Sequence, residues 1–368
     1  MSKLYKSTVR LNEILYEMVY DPERQSTQYI ALKDNGLIRV ESLILNDQEI
    51  FPYLPNNDMV NKRVVLFASD AEEYGDQATL IKNISSFIYK YLQVSPFFEN
   101  ILPYYILLTW VYDAFSEIPY LRAIGDTGCG KSRFLKIIGS LCYKPTFTVG
   151  ATTTAPIFRL IDEFKGTLIL DEADLRFSDT NVDIIKILNT GFQKDIPVLR
   201  CSDANGKYEV KSFDVFCPKI IATRNQFDDK ALESRFIIER MDGLLSRNDI
   251  ATNLDEKFEK EALYLRNKCL MWRLQNCKRV RPRTDFKIPD IEPRLNQIIV
   301  PLLSVIDDAG VEQQVTDYIK RYNKELIDDR GQSFEAMLLE VIMRLMESGN
   351  DQIAMKEISR EYNSAILE

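Results

Sequence analysis

Between positions 120 and 133 the chain reads Tyr-Leu-Arg-Ala-Ile, then Gly125-Asp126-Thr127-Gly128-Cys129-Gly130-Lys131-Ser132, then Arg133 and a run of helix formers. Glycines at 125, 128 and 130 let the backbone turn its N–H groups inward. A helix beginning directly behind them adds the partial positive charge of its N-terminus, and the two features together make a cradle for phosphate oxygens. Lys131 is placed to reach the outer phosphates of a nucleoside triphosphate, and the Ser132 hydroxyl to ligate Mg²⁺. The other half of such a site is a carboxylate. It stands at Asp171-Glu172, forty residues beyond Lys131, closing the apolar run Thr167-Leu168-Ile169-Leu170. That run reads as a buried strand ending beside the phosphate-loop strand, with Asp171 in the Mg²⁺ shell and Glu172 polarising the attacking water. Two motifs in this order, each on the element it needs, predict binding and hydrolysis of Mg-ATP.

Such a site needs strands to carry its loops and helices to cover them. Apolar runs at 120–124, 147–149, 167–170, 220–222 and 236–238 alternate with helical segments. This is the α/β pattern of a mostly parallel sheet covered on both faces, and it sets a core at 120–245. Ahead of it, residues 1–68 carry strand-like runs at 28–32, 37–44 and 63–68, with Asn35-Gly36 as a hairpin turn, and read as a small β-rich N-terminal module. Residues 69–119 form a helical segment leading into the core, with Leu80, Ile84, Phe87, Ile88 and Tyr91 on one face and Ser95-Pro96 opening a second helix. Residues 246–325 are predicted to be a helical lid, and the tail, 326–368, carries helical patterns at 334–346 and 353–362. Within the core, runs at 198–202 and 207–213 flank Asp203-Ala204-Asn205-Gly206, which predicts a β-hairpin with Lys207 at its tip.

Composition narrows the chemistry. Of 368 residues, 47 are Lys or Arg and 55 Asp or Glu, a net charge of −8. This argues against a uniformly basic, nucleic-acid-coating surface, but not against a small basic channel. There is no histidine, which rules out Ser-His-Asp and Cys-His catalysis and any His-ligated metal. The six cysteines show no C-x-x-C pair, so no zinc site is expected, and they read as reduced thiols of a cytoplasmic protein. The opening MSKLYKSTVR has no apolar core of a signal peptide. The most hydrophobic run, 101–112, is too short to cross a bilayer and contains Pro103, so no membrane partner is expected.

Beyond the phosphate loop the sequence resembles the AAA+ ATPases. Lys219-Ile220-Ile221-Ala222 leads into Thr223-Arg224-Asn225. The resemblance implies a polar "sensor 1" residue at this strand end, touching the γ-phosphate: Asn225, or Arg224 if the alignment slips by one residue. Ala231-Leu232-Glu233-Ser234-Arg235-Phe236 resembles the Ser-Arg-Phe segment of minichromosome maintenance helicases. This implies that Arg235 is an arginine finger completing a neighbouring subunit's ATP site, a task suited to a fixed, always-protonated fork. The predicted hairpin resembles the pre-sensor 1 hairpin of those enzymes and of superfamily 3 viral helicases. By that resemblance Lys207 grips a strand phosphate in a central channel, with Arg200 and Lys211 adding positive charge. Glu292-Pro293-Arg294-Leu295 starts a helix at its proline, and the resemblance to AAA+ lids makes Arg294 a "sensor 2" arginine for the γ-phosphate. Arg273, Lys278, Arg279, Arg281, Arg283 and Lys287 form a basic cluster, read first as solvated lid surface and second as a DNA contact. The tail resembles the start of a winged helix, either cut short or a bare helical pair.

The resemblance spans about residues 76–325. It is closest to primase-helicase-like ATPases of bacterial and archaeal mobile elements, on segments 105–112, 125–143 and 231–236, although the N-terminal module shows no primase carboxylate triad. It implies a homo-oligomeric ring, a hexamer, hydrolysing Mg-ATP between subunits and moving pore hairpins along single-stranded or forked DNA. The alternative is an AAA+ remodeller, loader or switch acting on protein partners, which the acidic balance favours. A small-molecule P-loop kinase is disfavoured by the Ser-Arg-Phe segment and the long helical lid.

Overall fold

The computed structural model describes residues 3–34, 36–149, 154–171, 179–204, 207–227, 229–243, 247–331, 334–347 and 354–367. The chain begins with seven strands: β1 (Leu4–Tyr5), β2 (Thr8–Leu11), β3 (Ile14–Asp21), β4 (Ser26–Lys33), β5 (Gly36–Val40), β6 (Leu43–Leu45) and β7 (Gln48–Phe51). β2 to β5 form an antiparallel meander, while β1, β7 and β6 make a separate sheet. Three local expectations need correction. Lys33 pairs with Gly36, so the hairpin loop is Asp34-Asn35, one residue earlier than Asn35-Gly36. Asp34 supplies the left-handed φ of 50°, which a short polar side chain tolerates, and Asn35 itself lies outside the described residues. The run 37–44 breaks at Glu41-Ser42 into strands of two different sheets. The run 63–68 is no strand of the module. Val65 bridges antiparallel to Thr146, and the Leu66 N–H donates to the Pro145 carbonyl at 3.0 Å, so this segment ties the module to the edge of the core sheet.

After a single turn, α1 (Asp58–Asn61), come α2 (Gln77–Tyr91) and α3 (Pro96–Trp110). Asp76 caps α2 by accepting from the Thr79 N–H at 2.7 Å. Pro96 opens α3, where its missing N–H costs nothing. α3 is buried along nearly its whole length, with the Tyr105 hydroxyl donating to backbone carbonyls at the amino ends of core strands. A short 3-10 turn at Tyr112–Ala114 follows.

The core sheet has five parallel strands: β8 (Tyr120–Ile124), β9 (Thr146–Val149), β10 (Leu168–Asp171), β13 (Lys219–Thr223) and β14 (Phe236–Arg240). Their order is β14-β8-β13-β10-β9. β8 and β13 are buried at every position, which is why they read as unbroken apolar runs. The helices between strands are α4 (Lys131–Gly139), α5 (Thr154–Phe164), α6 (Asp179–Thr190) and the one-turn α7 (Lys230–Glu233). α4 approaches the sheet so closely at Gly139 that a Cβ there would lie 3.0 Å from the Phe147 ring. β13 lies between β8 and β10, so Asp171 does not end the strand next to the phosphate-loop strand but the next one over. β11 (Val198–Ala204) and β12 (Lys207–Phe213) form the hairpin. Ala204 faces Lys207 across it, and Asn205-Gly206 lie outside the described residues.

The region expected to be a lid holds the helices α8 (Glu256–Asn276), α9 (Pro293–Leu303) and α10 (Ala309–Gly331), followed by α11 (Phe334–Glu347) and α12 (Met355–Leu367), which pack on one another. One hydrophobic core joins the sheet, α2, α3 and the lid; a second fills the N-terminal module and takes in Phe164 of α5. Among the described residues no helix is long and apolar enough to cross a membrane.

Module, core and lid meet at a group of buried ions. Glu17 of β3 lies 2.9 Å from the Lys144 ammonium and accepts from Arg273 Nε of α8 at 2.7 Å, and all three side chains are less than 5% exposed. Arg273 also forks onto Asp113 at 2.9 and 3.0 Å. Burial alone raises a carboxyl's pKa, yet Lys144 and Arg273 together hold Glu17 below the ordinary value; burial pulls Lys144 down.

Candidate active site

β8 delivers the chain into a loop that only glycine can make. Gly128 and Gly130 hold φ of 87° and 96°. At Gly125, with φ 156°, a Cβ would sit 2.7 Å from Asp242 Oδ1 and 2.8 Å from Cys129 Sγ. Gly130 is the N-cap of α4 and no side chain caps this helix, the condition under which first-turn N–H groups serve an anion. The Lys131 ammonium folds back on its own loop, donating to the Gly125 and Asp126 carbonyls at 2.5 and 2.6 Å. Asp242, just past β14, accepts from the Asp126 N–H at 2.8 Å and so fixes the start of the loop.

A cleft of about 280 Å³ opens here, lined by Thr127, Gly128, Gly130, Lys131, Ser132, Arg133, Asp171, Ala222, Thr223 and Arg224. It lies at the carboxyl ends of β8, β13 and β10, where the strand order reverses and open α/β sheets bind their ligands. The Walker-type residues and Asp171 therefore share one space. At the end of β13 it is Arg224, not Asn225, that lines the cleft. Glu172, next after Asp171, lies outside the described residues.

Arg133, Thr223 and Asp242 were not singled out by sequence. Arg133 joins α4 to α2 and to the entry of the lid, donating to the Tyr91 and Thr252 carbonyls at 2.7 and 2.9 Å. The Thr223 hydroxyl is buried with no hydrogen-bond partner among the described residues. A lone hydroxyl in a phosphate-sized cleft suits a phosphate oxygen or a water.

The remaining arginines sit elsewhere. Tyr120 N–H donates to the Arg235 carbonyl, so Arg235 lies at the amino end of β8. The phosphate loop lies beyond its carboxyl end, about 13 Å away at ~3.3 Å per residue. Arg235 is 6% exposed. It donates to Asn189 Oδ1 and to the Ala231 carbonyl, and stacks on Phe192 at 4.6 Å. Arg294 reaches the same Ala231 carbonyl at 3.4 Å. Burial, and after it the Arg294 charge, draw the Arg235 guanidinium below its usual pKa. Arg294, expected at the γ-phosphate, thus shares the Ala231 carbonyl of α7 with Arg235.

The hairpin also departs from expectation. Strand alternation puts Val198, Arg200, Lys211 and Phe213 on one face and Leu199, Cys201 and Val210 on the other. Arg200 points inward, ion-paired with Asp183 of α6 and lying 4.1 Å from the Phe158 ring centre, so it is not offered to an external strand. Lys211 is exposed. The backbone of Lys207 starts β12, but its side chain is outside the described residues. The outward face is apolar, with Leu199 and Val210 66% and 67% exposed.

No protein-family model and no curated protein matches the chain. Among solved structures it is similar to the apo C-terminal region of NrS-1, at 10% identity and a TM-score of 0.38, covering 93% of this chain and 81% of that one. A second apo structure of that region gives 10% identity and a TM-score of 0.38, covering 95% and 82%. A full-length MCM homologue from Methanopyrus kandleri is similar at 10% identity and a TM-score of 0.42, over 81% of this chain and 73% of that one. At this level of likeness, the assignment of function rests on the residues of the cleft.

Proposed function

We propose that the chain is a Mg-ATP hydrolase of the AAA+ type that works as a ring-forming helicase or translocase on single-stranded DNA. One observation carries the ATPase reading: the phosphate loop, Asp171 and Arg224 line a single cleft at the switch point of a parallel sheet. The donors fit their ligands. Ser132 and Asp171 offer the hard oxygens that Mg²⁺ prefers, and the glycine cradle with Lys131 suits a triphosphate. Magnesium, when bound, offsets the charge of the phosphate oxygens. On the protein side, Lys131 exchanges its loop carbonyls for phosphate, and Arg224 meets the charge that grows on the terminal phosphoryl group. Glu172 takes a proton from the attacking water. Titration calorimetry tests this. Wild type should bind ATP in a magnesium-dependent way, Lys131→Ala should not, and Glu172→Gln should bind without turnover. Wild-type protein that takes up no nucleotide refutes the reading.

The ring reading is supported by the opposite end of the sheet. Arg235 and Arg294 stand too far from their own phosphate loop to serve it, and together they form a cationic edge suited to a neighbouring subunit's nucleotide. To reach it, Arg235 must release Asn189. The Lys207 hairpins then line the channel of a hexamer. Electron microscopy of Glu172→Gln with ATP and forked DNA should show rings with a strand in the hole. Lys207→Ala should keep ATPase activity and lose unwinding.

A second reading, a remodeller of protein partners, draws on the apolar outward face of the hairpin and the inward turn of Arg200. Stimulation of ATPase by single-stranded DNA, weakening steeply with salt, separates the two.

A further inference from the structure

We propose that a basic cleft between the N-terminal module and the end of α8 binds the phosphate backbone of a single nucleic-acid strand. The cleft, about 200 Å³, is lined by Arg10 of β2, by Lys278 and Arg281 just past α8, and by Asp113, Ala114 and Cys277. It shares no lining residue with the phosphate-loop cleft and needs neither nucleotide nor ring to act.

The rim cations are open to solvent and weakly engaged. Arg10 and Lys278 are 48% and 54% exposed, and their acidic neighbours, Asp113 and Glu13, both lie 3.7 Å away. Glu13 is itself 90% exposed, so that pair is screened and contributes little. Arg281 is exposed and, among the described residues, donates to the adjacent Val280 carbonyl at 2.9 Å. Asp113 is the acid of the lining, and it is already engaged: Arg273 holds both of its oxygens, at 2.9 and 3.0 Å. Arg273 in turn is pinned to Glu17 below, with both side chains 1% exposed. The floor is thus rigid and charge-balanced, and the rim presents an excess of positive charge above it.

The chemistry of the rim selects phosphate. Guanidinium forks match phosphate oxygens two by two, and an ammonium beside them adds a compact charge. Arg279, exposed between Lys278 and Arg281 in the chain, adds to the positive charge of this segment. On a chain of net charge −8, so local an excess draws a polyanion that threads it rather than one that coats the protein. By this account the N-terminal module holds the strand, through Arg10, at a fixed position relative to the core.

Fluorescence anisotropy of the full chain with a labelled oligothymidylate, without nucleotide or magnesium, tests the proposal. Wild type should bind with an affinity that falls steeply with salt. The triple variant Arg10→Ala, Lys278→Ala, Arg281→Ala should bind roughly tenfold or more weakly. Its log-affinity against log-salt slope should fall by about 2, at ~0.7 per phosphate contact on a single strand. The single variant Arg281→Glu should weaken binding in the same direction and serves as the test if the triple variant does not fold. Three results overturn the proposal: no strand binding by wild type, unchanged affinity in a folded triple variant, or displacement of the strand by equimolar inorganic pyrophosphate. The last would make this a small-phosphate site. ATP titration of the same triple variant should match wild type, so failure here and failure of the ATPase reading are told apart.

Discussion

The phosphate-loop cleft and the ion cluster beneath the N-terminal module are both rich in charge, yet they are built on opposite plans. In the cleft, Lys131 and Asp171 are half-buried, Arg224 is exposed, and the backbone does the holding. In the cluster, Glu17, Lys144 and Arg273 are sealed from water and held by one another and by Asp113, Ser7, Thr8 and Tyr143. Charges meant to meet a ligand stay where a ligand can compete for them. Charges meant to fix domains give up that freedom, and their loss is felt as stability. The fork of Arg273 links β3 to the turn at Tyr112–Ala114 and to α8, so the cluster sets how module and lid sit on the core.

Three variants sharpen or break this contrast. Arg273→Met leaves Glu17 buried with the Lys144 ammonium and the Thr8 and Tyr143 hydroxyls, and should cost about 3–5 kcal/mol in urea unfolding while the remaining folded protein still binds ATP. Loss of ATP binding at unchanged stability would erase the distinction. Glu239 offers an intermediate case: 2% exposed, it has no ion pair among the described residues and accepts from the Ser95 N–H and hydroxyl at 2.5 and 2.8 Å. Burial lifts its pKa from 4.5 to about 7. Because the folded value is the higher one, its contribution is complete below 4.5 and is lost as pH rises through about 7. The loss is on the order of 3 kcal/mol at ~1.4 kcal/mol per unit. Thermal unfolding from pH 4 to 8 should show it, and Glu239→Gln should flatten the curve. The smallest effect belongs to the cleft. Gly125→Ala should strain the loop by about 1–3 kcal/mol against Asp242, weakening ATP affinity more than it lowers the melting temperature. The double variant with Asp242→Ala should recover part of that affinity.

What could be read from residues alone follows the reach of each interaction. The phosphate loop was legible because its chemistry is local: the glycines, Lys131 and Ser132 are contiguous, and the strands around them are buried enough to be continuous apolar runs. Asp171 was legible as a strand end, but its neighbour was not, since β13 comes later in the chain and inserts between β10 and β8. The partners of Arg200 were not legible, because Phe158 and Asp183 come from other elements of the chain. The same holds for Arg294: the start of α9 was evident from Pro293, whereas its contact with the Ala231 carbonyl joins elements far apart in sequence. Asp242 and Arg133 belong to no pattern of spacing. They are single polar residues whose roles arise only when β14 and α4 are brought to the same loop.

The short strand β8 has one more consequence. It carries the phosphate loop at one end, while Arg235 is level with the other, and a hydrogen-bonded strand cannot fold double. In the ring proposed above, no molecule can therefore be its own partner. Catalysis becomes a property of encounters, falling away on dilution faster than the protein itself. Two dead variants, Lys131→Ala and Arg235→Ala, mixed before assembly, should revive one another at the junctions where an intact loop meets an intact arginine.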